Sequence, residues 1–203
     1  MNKVAILDCS HNNSNQINKI ITLLDDFLSH NNIITKIVPI KQSRIVSCNE
    51  CKICMQPAGC EPVKCFHHDQ MDDVIDAIED NDAFIFISDT DSIFSANDTF
   101  QRFSKRLAAY YYWPFGTKSS IHRKKIHDKF SILLNYNTTF DLFNKTYETS
   151  LEQLKTASIA VGAEPVATLT IKPEIKPNEL INEYYKEIEL CAYKLLRSLK
   201  RAS

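Results

Sequence analysis

The sequence predicts an α/β fold built on one doubly wound parallel sheet with helices on both faces. Two observations carry that expectation. Apolar runs of strand length alternate with helical periodicities five times along the 203 residues. The third run, "DAFIFIS" (Asp82 to Ser88), is almost continuously apolar, the pattern of a parallel strand covered on both faces. No internal repeat, linker or low-complexity stretch marks a second domain, so residues 1–203 are expected to form one domain with a cysteine-rich insertion at about 47–68.

The first strand is "KVAILDC" (Lys3 to Cys9), a compact apolar run bounded by polar residues, and "SHNNSN" follows as a loop. From Asn15, residues Ile17, Ile20, Ile21, Leu24 and Phe27 or Leu28 recur at helical spacing, with Ser14 as N-cap. "IITKIVPI" (Ile33 to Ile40) is the second strand. Met71, Val74, Ile75 and Ile78 share one face of a short helix before the third strand. "NDTFQRFSKRLAAYYYW" reads as a helix running into an aromatic cluster, and "KSSIHRKKIHDK" (Lys118 to Lys129) as a basic connector. "FSILLNY" (Phe130 to Tyr136) is the fourth strand. Leu151, Leu154, Ala157 and Val161 mark a helix closed by Gly162. "PVATLTI" is the fifth strand, stopped by Pro173, and "ELINEYYKEIELCAYKLLRSLKR" is an amphipathic closing helix with a basic end.

Bulk composition excludes several function classes. Hydrophobic residues at 44% and charged residues at 24% are ordinary for a globular chain. A net charge of -1 gives no electrostatic drive toward nucleic acid or an anionic membrane. No run of eighteen apolar residues exists to span a bilayer, and the start lacks the features of a secretory signal. The expectation is a cytoplasmic protein whose thiols stay reduced, which argues against a disulfide framework.

In doubly wound sheets, ligands sit outside the carboxyl ends of the strands. That directs attention to Cys9–Gln16, Ser88–Asn97 and Asn135–Phe140. The order of these elements, with "CSHNNSNQ" after the first strand and a third strand ending in Ser88, resembles the flavodoxin-like NAD(P)H-dependent FMN reductases and their iron-sulfur flavoprotein branch. The resemblance runs from Lys3 through "GAEPVATLTI". It implies a five-stranded flavodoxin-like sheet. It also implies FMN, with the phosphate on the first loop at Ser10, Asn12, Ser14, Asn15 and Gln16. Cys9 stands where the family's loop has glycine, that loop's arginine is missing, and the loop is one residue shorter.

The family's second loop, S-P-x-Y-x-G, is "SDTDSIFSAN" here, which places Ser88, Asp89, Thr90, Asp91 and Ser92 beside the flavin ring. Asp89 replaces the proline, and Asp91 adds negative charge near a cofactor that becomes anionic when reduced. In the third loop, "NYNTTF", Asn135, Asn137 and Thr138 are suited to bond the ring's rim and Tyr136 to stack on it. A polar turn with a half-buried tyrosine is the plainer account of the same residues.

The segment "SCNECKICMQPAGC" places Cys48, Cys51, Cys54 and Cys60 at the C-x2-C-x2-C-x5-C spacing that resembles the family's [4Fe-4S] motif. Close spacing lets consecutive thiolates converge on one cluster. Four thiolates also suit zinc, and relatives carry similar cysteines with no metal; all three outcomes stay open. Cys65, His67 and His68 add soft ligands nearby, whereas Cys9 and Cys191 read as small hydrophobes. "AAYYYWPFG" (Ala108 to Gly116) is either a wall over a flavin, a dimer contact or ordinary packing.

What the resemblance implies is an FMN-dependent NAD(P)H oxidoreductase or electron-transfer flavoprotein. Its partners would be a small-molecule or protein electron acceptor and further copies of itself, as a homodimer or higher homo-oligomer, with no nucleic acid and no membrane. The redox chemistry belongs to the cofactor, so no catalytic acid or base is nominated. The rival expectation is a flavodoxin-like domain that has lost FMN and serves as a metal-binding or protein-interaction module.

Overall fold

The structure is a computed structural model that describes residues 2–10, 15–90, 98–124, 128–137, 150–171 and 180–202. In chain order its elements are β1 (Lys3–Asp8), α1 (Asn15–His30), β2 (Ile34–Val38), α2 (Met71–Glu79), β3 (Ala83–Thr90) and α3 (Asp98–Arg106). They continue with β4 (Tyr111–Tyr112), β5 (Ile121–His122), β6 (Lys129–Asn137), α4 (Ser150–Ala160), β7 (Ala163–Ile171) and α5 (Leu180–Ala202). Five strands form one parallel sheet in the order β2-β1-β3-β6-β7. The chain runs outward from β1 to β2 and then crosses back to β3, so the switch point falls between β1 and β3. That is where doubly wound sheets bind ligands.

β3 is buried on both faces, and its alternation divides the core. Ala83, Ile85 and Ile87 pack with Val4 and Ile6 against α1 and α5. Phe84 and Phe86 pack with Ala5 and Leu7 against α2, α3 and α4. Each fully buried phenylalanine or isoleucine contributes about 1.5–3 kcal/mol by leaving water, which makes β3 the anchor of both layers. α1 buries the predicted stripe Ile17, Ile20, Ile21, Leu24 and Leu28. The turn after His30 passes through Asn32, a left-handed residue at φ 58°, a conformation asparagine tolerates better than most.

The structure shifts several predicted boundaries for identifiable reasons. β2 stops at Val38 because Pro39 has no N–H for the ladder, and the chain turns into a 3-10 turn at Ile40–Gln42. β7 starts directly after Gly162 and takes in Pro165, which an edge strand accepts, beside a register irregularity between Ser131 and Ile132. The basic connector contains β5, which pairs antiparallel with β4; two-residue strands carry no periodicity to read. Of the aromatic cluster, Tyr110 is in the core with its phenol donating to Glu79 at 3.0 Å, and Phe115 is fully exposed. Pro173 and the predicted cap Ser14 lie outside the described residues. No helix among the described residues is long and apolar enough to cross a membrane.

Candidate functional site

The carboxyl end of β1 closes on a buried polar knot. Asp8 Oδ1 accepts from the Ser10 backbone N–H at 3.1 Å and from Ser10 Oγ at 2.6 Å. Asp8 Oδ2 pairs with Lys41 Nζ at 2.7 Å, the two side chains being 5% and 6% exposed. Lys41 Nζ also donates to Ser10 Oγ at 3.2 Å. Lys41 reaches this point from the 3-10 turn that Pro39 starts. Ser10 is fully buried, with its hydroxyl turned inward to Asp8.

Ser88 and Asp89 end β3, and both are buried; the Ser88 hydroxyl donates to the Asp89 carbonyl at 3.4 Å. On β6 the buried Asn135 stands in register with Ser88, Tyr136 with Asp89, and Asn137 with Thr90. Burial raises the Tyr136 phenol above its ordinary pKa. At the first turn of α1, Asn15 is exposed and Gln16 buried. Asn12, Ser14, Asp91, Ser92 and Thr138 lie outside the described residues. Thus Ser10, Ser88, Asp89, Asn135 and Tyr136 all lie at the carboxyl edge of the sheet. Sequence reasoning missed Asp8 and Lys41, although a carboxylate ending the apolar run "KVAILDC" was a usable signal.

A second site lies where the segment joining β2 to α2 packs against α2 and the end of α3. Cys48, Cys51, Cys54 and Cys65 line one cavity of about 260 Å³, together with Met55, Val63, Phe66, Ile75, Lys105 and Arg106. Cys60 is exposed and does not line it, and neither do His67 and His68. Burial pushes the Cys54 thiol above its ordinary pKa, and the neighbouring Cys65, Cys48 and Cys51 add to that shift. Glu50 and Lys52, both left-handed at φ 57° and 61°, bend the chain sharply between the cysteines. The Glu50 backbone N–H donates to Cys48 Sγ at 3.4 Å. Among the described residues, no group of three or more His, Cys, Asp or Glu side chains is placed to hold a single metal ion.

Two buried arginines hold this segment in place. Arg106 donates twice to the Asp69 carboxylate, at 2.8 and 3.0 Å, and once to the Val46 carbonyl at 3.0 Å. Asp69 in turn accepts from the backbone N–H groups of Val46 and Met71, clamping together the two ends of the cysteine segment. Burial alone would raise the Asp69 carboxyl, but the Arg106 and Val46 hydrogen bonds outweigh it and hold it below the usual carboxylate range. Arg123 donates to four carbonyls, those of Ala109, Tyr111, Gly59 and Cys54, all at 3.0–3.1 Å. It ties the β4–β5 hairpin to the middle of the cysteine segment.

No family model matches the sequence, and no curated protein matches it either. Solved structures do. A putative quinone reductase from Klebsiella pneumoniae is similar at a TM-score of 0.65 and 10% identity, over 96% of this chain and 84% of that one. An azoreductase from Bacillus anthracis str. Sterne is similar at 0.58 and 12%, over 100% and 99%. Oxidised flavodoxin 1 from Bacillus cereus is similar at 0.57 and 11%, over 99% of each chain. With the strand order β2-β1-β3-β6-β7, these likenesses establish a flavodoxin-like α/β fold.

Proposed function

We propose that this chain is an FMN-dependent oxidoreductase or electron-transfer flavoprotein of the cytoplasm, taking hydride from NAD(P)H and passing electrons to a small-molecule or protein acceptor. The observation that carries this reading is the row of polar side chains, Ser10, Ser88, Asp89 and Asn135, buried at the carboxyl ends of β1, β3 and β6. This edge is where the architecture places ligands. The solved structures of similar fold include a putative quinone reductase, an azoreductase and a flavodoxin, which agrees with the reading. The fold alone does not assign it.

In this reading Ser10, Asn12, Ser14, Asn15 and Gln16 hold the phosphate. Ser88, Asp89, Thr90, Asp91, Ser92, Asn135, Tyr136, Asn137 and Thr138 border the ring. A bound flavin supplies the hydride and electron chemistry itself. The part of Ser88 and Asn135 is to offer hydrogen bonds from adjacent positions in the register, and that of Tyr136 to offer an aromatic face. Assembly as a homodimer or higher homo-oligomer belongs to the same proposal.

The cysteine cavity extends it to a [4Fe-4S] cluster on Cys48, Cys51, Cys54 and Cys65, with Cys65 rather than Cys60 as the fourth ligand. Zinc draws four sulfurs to within about 4 Å of one another, given a Zn–S bond of about 2.3 Å. The four cysteines line a cavity of about 260 Å³, which leaves room for a larger inorganic core. When bound, a cluster supplies one-electron chemistry; the cysteines hold it, and Arg106 brings positive charge to the same wall.

One observation favours a second reading, a flavodoxin-like module that has lost FMN. The Asp8 carboxylate takes both the N–H and the hydroxyl of Ser10, donors that a phosphate would use. Absorbance of protein purified without oxygen, with iron, sulfide and zinc analysis, separates the two. Flavin bands are expected, together with a cluster shoulder that Cys65→Ala abolishes and Cys60→Ala leaves intact. Colourless, metal-free protein that ignores added FMN sinks the enzyme reading. Zinc without colour leaves the cysteines a structural site, and loss of the shoulder in Cys60→Ala alone restores Cys60 as the ligand.

A further inference from the structure

We propose that Lys41, with Asp8 as its internal counter-ion, admits a phosphate monoester to the carboxyl end of β1 and sets the preference for a phosphorylated over an unphosphorylated ligand. The proposal rests on the flavin reading above and adds to it a residue outside the first loop. That loop, "CSHNNSNQ", contains no lysine or arginine. At its base, among the described residues, Asp8 and Lys41 form a buried ion pair, with Lys41 reaching Ser10 from 31 residues further along the chain.

The charge arithmetic makes Lys41 decisive. Asp8 puts a carboxylate against the Ser10 N–H and hydroxyl, at the strand end where an anionic group would have to approach. Unneutralised, it would repel a phosphate, and in a buried setting that repulsion is screened far less than in water. Lys41 cancels it. An ammonium has three N–H donors, and Lys41 uses one on Asp8 and one on Ser10, leaving a third with no acceptor among the described residues. The side chain is 6% exposed, so ordinary solvation of that third donor is largely closed off.

Stability alone is a weak reason for such a pair. Buried ion pairs are often no better than apolar packing of the same volume, and the rest of β1 from Val4 to Leu7 is packed that way. Its position at the ligand-binding edge of the sheet supplies the reason that stability does not. The pair also removes a repulsion that a first loop without arginine has no charge to offset.

The test compares FMN with riboflavin, which differ only in the phosphate, by fluorescence titration of the full chain. Wild type is expected to prefer FMN. Lys41→Met should weaken FMN by about 10- to 100-fold, the loss of one charge-assisted hydrogen bond, and leave riboflavin unchanged. Because Lys41→Met strands a buried carboxylate, the Asp8→Asn/Lys41→Met double variant is measured alongside; it lacks both charges and should show the same fall in the FMN-to-riboflavin ratio. Asp8→Asn alone, which leaves the cation unopposed, should raise the ratio. Equal binding of both flavins by wild type, or an unchanged ratio in the two Lys41→Met variants, overturns the proposal. If wild type binds neither flavin, the flavin reading fails and inorganic phosphate decides this one. Stabilisation by phosphate but not by chloride at equal ionic strength, lost in the double variant, supports an anion site at Lys41; no phosphate effect overturns it.

Discussion

Removing the Asp69 carboxylate tests how the cysteine segment is held. In Asp69→Asn the Arg106 guanidinium, whose side chain is 3% exposed, loses its counter-ion and both charge-assisted bonds. Breaking a buried pair by deleting one partner costs about 3–5 kcal/mol. Asparagine keeps an acceptor for the Val46 N–H, so the lower end applies. With a urea m-value of about 2–3 kcal/mol/M, a loss of about 3 kcal/mol moves the unfolding midpoint down by about 1–1.5 M.

The effect has a definite pH dependence. The folded-state pKa of Asp69 lies below its unfolded value of about 3.9. The stability it contributes is therefore fully present above that unfolded value and is lost as pH falls through the folded value. The wild-type and Asp69→Asn curves should run parallel at neutral pH and converge in acid. Urea unfolding followed by far-UV circular dichroism at several pH values measures this. Asp69→Asn/Arg106→Met, which removes both charges and keeps an acceptor for the Val46 N–H, should recover part of the loss. A penalty below about 1 kcal/mol, the size expected of a solvated surface pair, would refute the claim that this brace is a buried clamp.

Three further outcomes follow from the same geometry. Arg123→Lys keeps the charge but cannot serve four carbonyls with one nitrogen; a loss of about 3 kcal/mol should lower Tm by roughly 6–12 °C in calorimetry. Ser158→Ala leaves the buried Ser131 hydroxyl and the Ala163 carbonyl without their shared partner, which should cost about 1–2 kcal/mol in urea unfolding. Gly162→Ala forces a side chain onto the φ of 80° that joins α4 to β7. It should cost about 1–2 kcal/mol by the same assay.

The legible parts of this protein are those written in local pattern. β3 and β6 were readable because strands covered on both faces must be apolar throughout, and α1 and α2 because one buried face imposes its period on the sequence. The carboxyl edge followed from topology, and Ser10, Ser88, Asp89, Asn135 and Tyr136 lie there. The β4–β5 hairpin was invisible because two residues per strand carry no period. The Asp8–Lys41 pair was invisible for a different reason, since each charge taken alone reads as an ordinary boundary residue.

The cysteines show the division most sharply. By itself the sequence determined a flavodoxin-like order of elements and a thiol-rich segment, because hydrophobic periodicity and residue spacing are one-dimensional properties. Spacing nominated Cys60, the next cysteine along the chain. Only the tertiary structure decided that Cys65 shares the cavity with Cys48, Cys51 and Cys54. Which cysteines line the cavity depends on two left-handed residues, on the Asp69–Arg106 clamp and on Arg123 reaching back 64 and 69 residues to Gly59 and Cys54. Such contacts join parts of the chain too far apart for any local pattern to record.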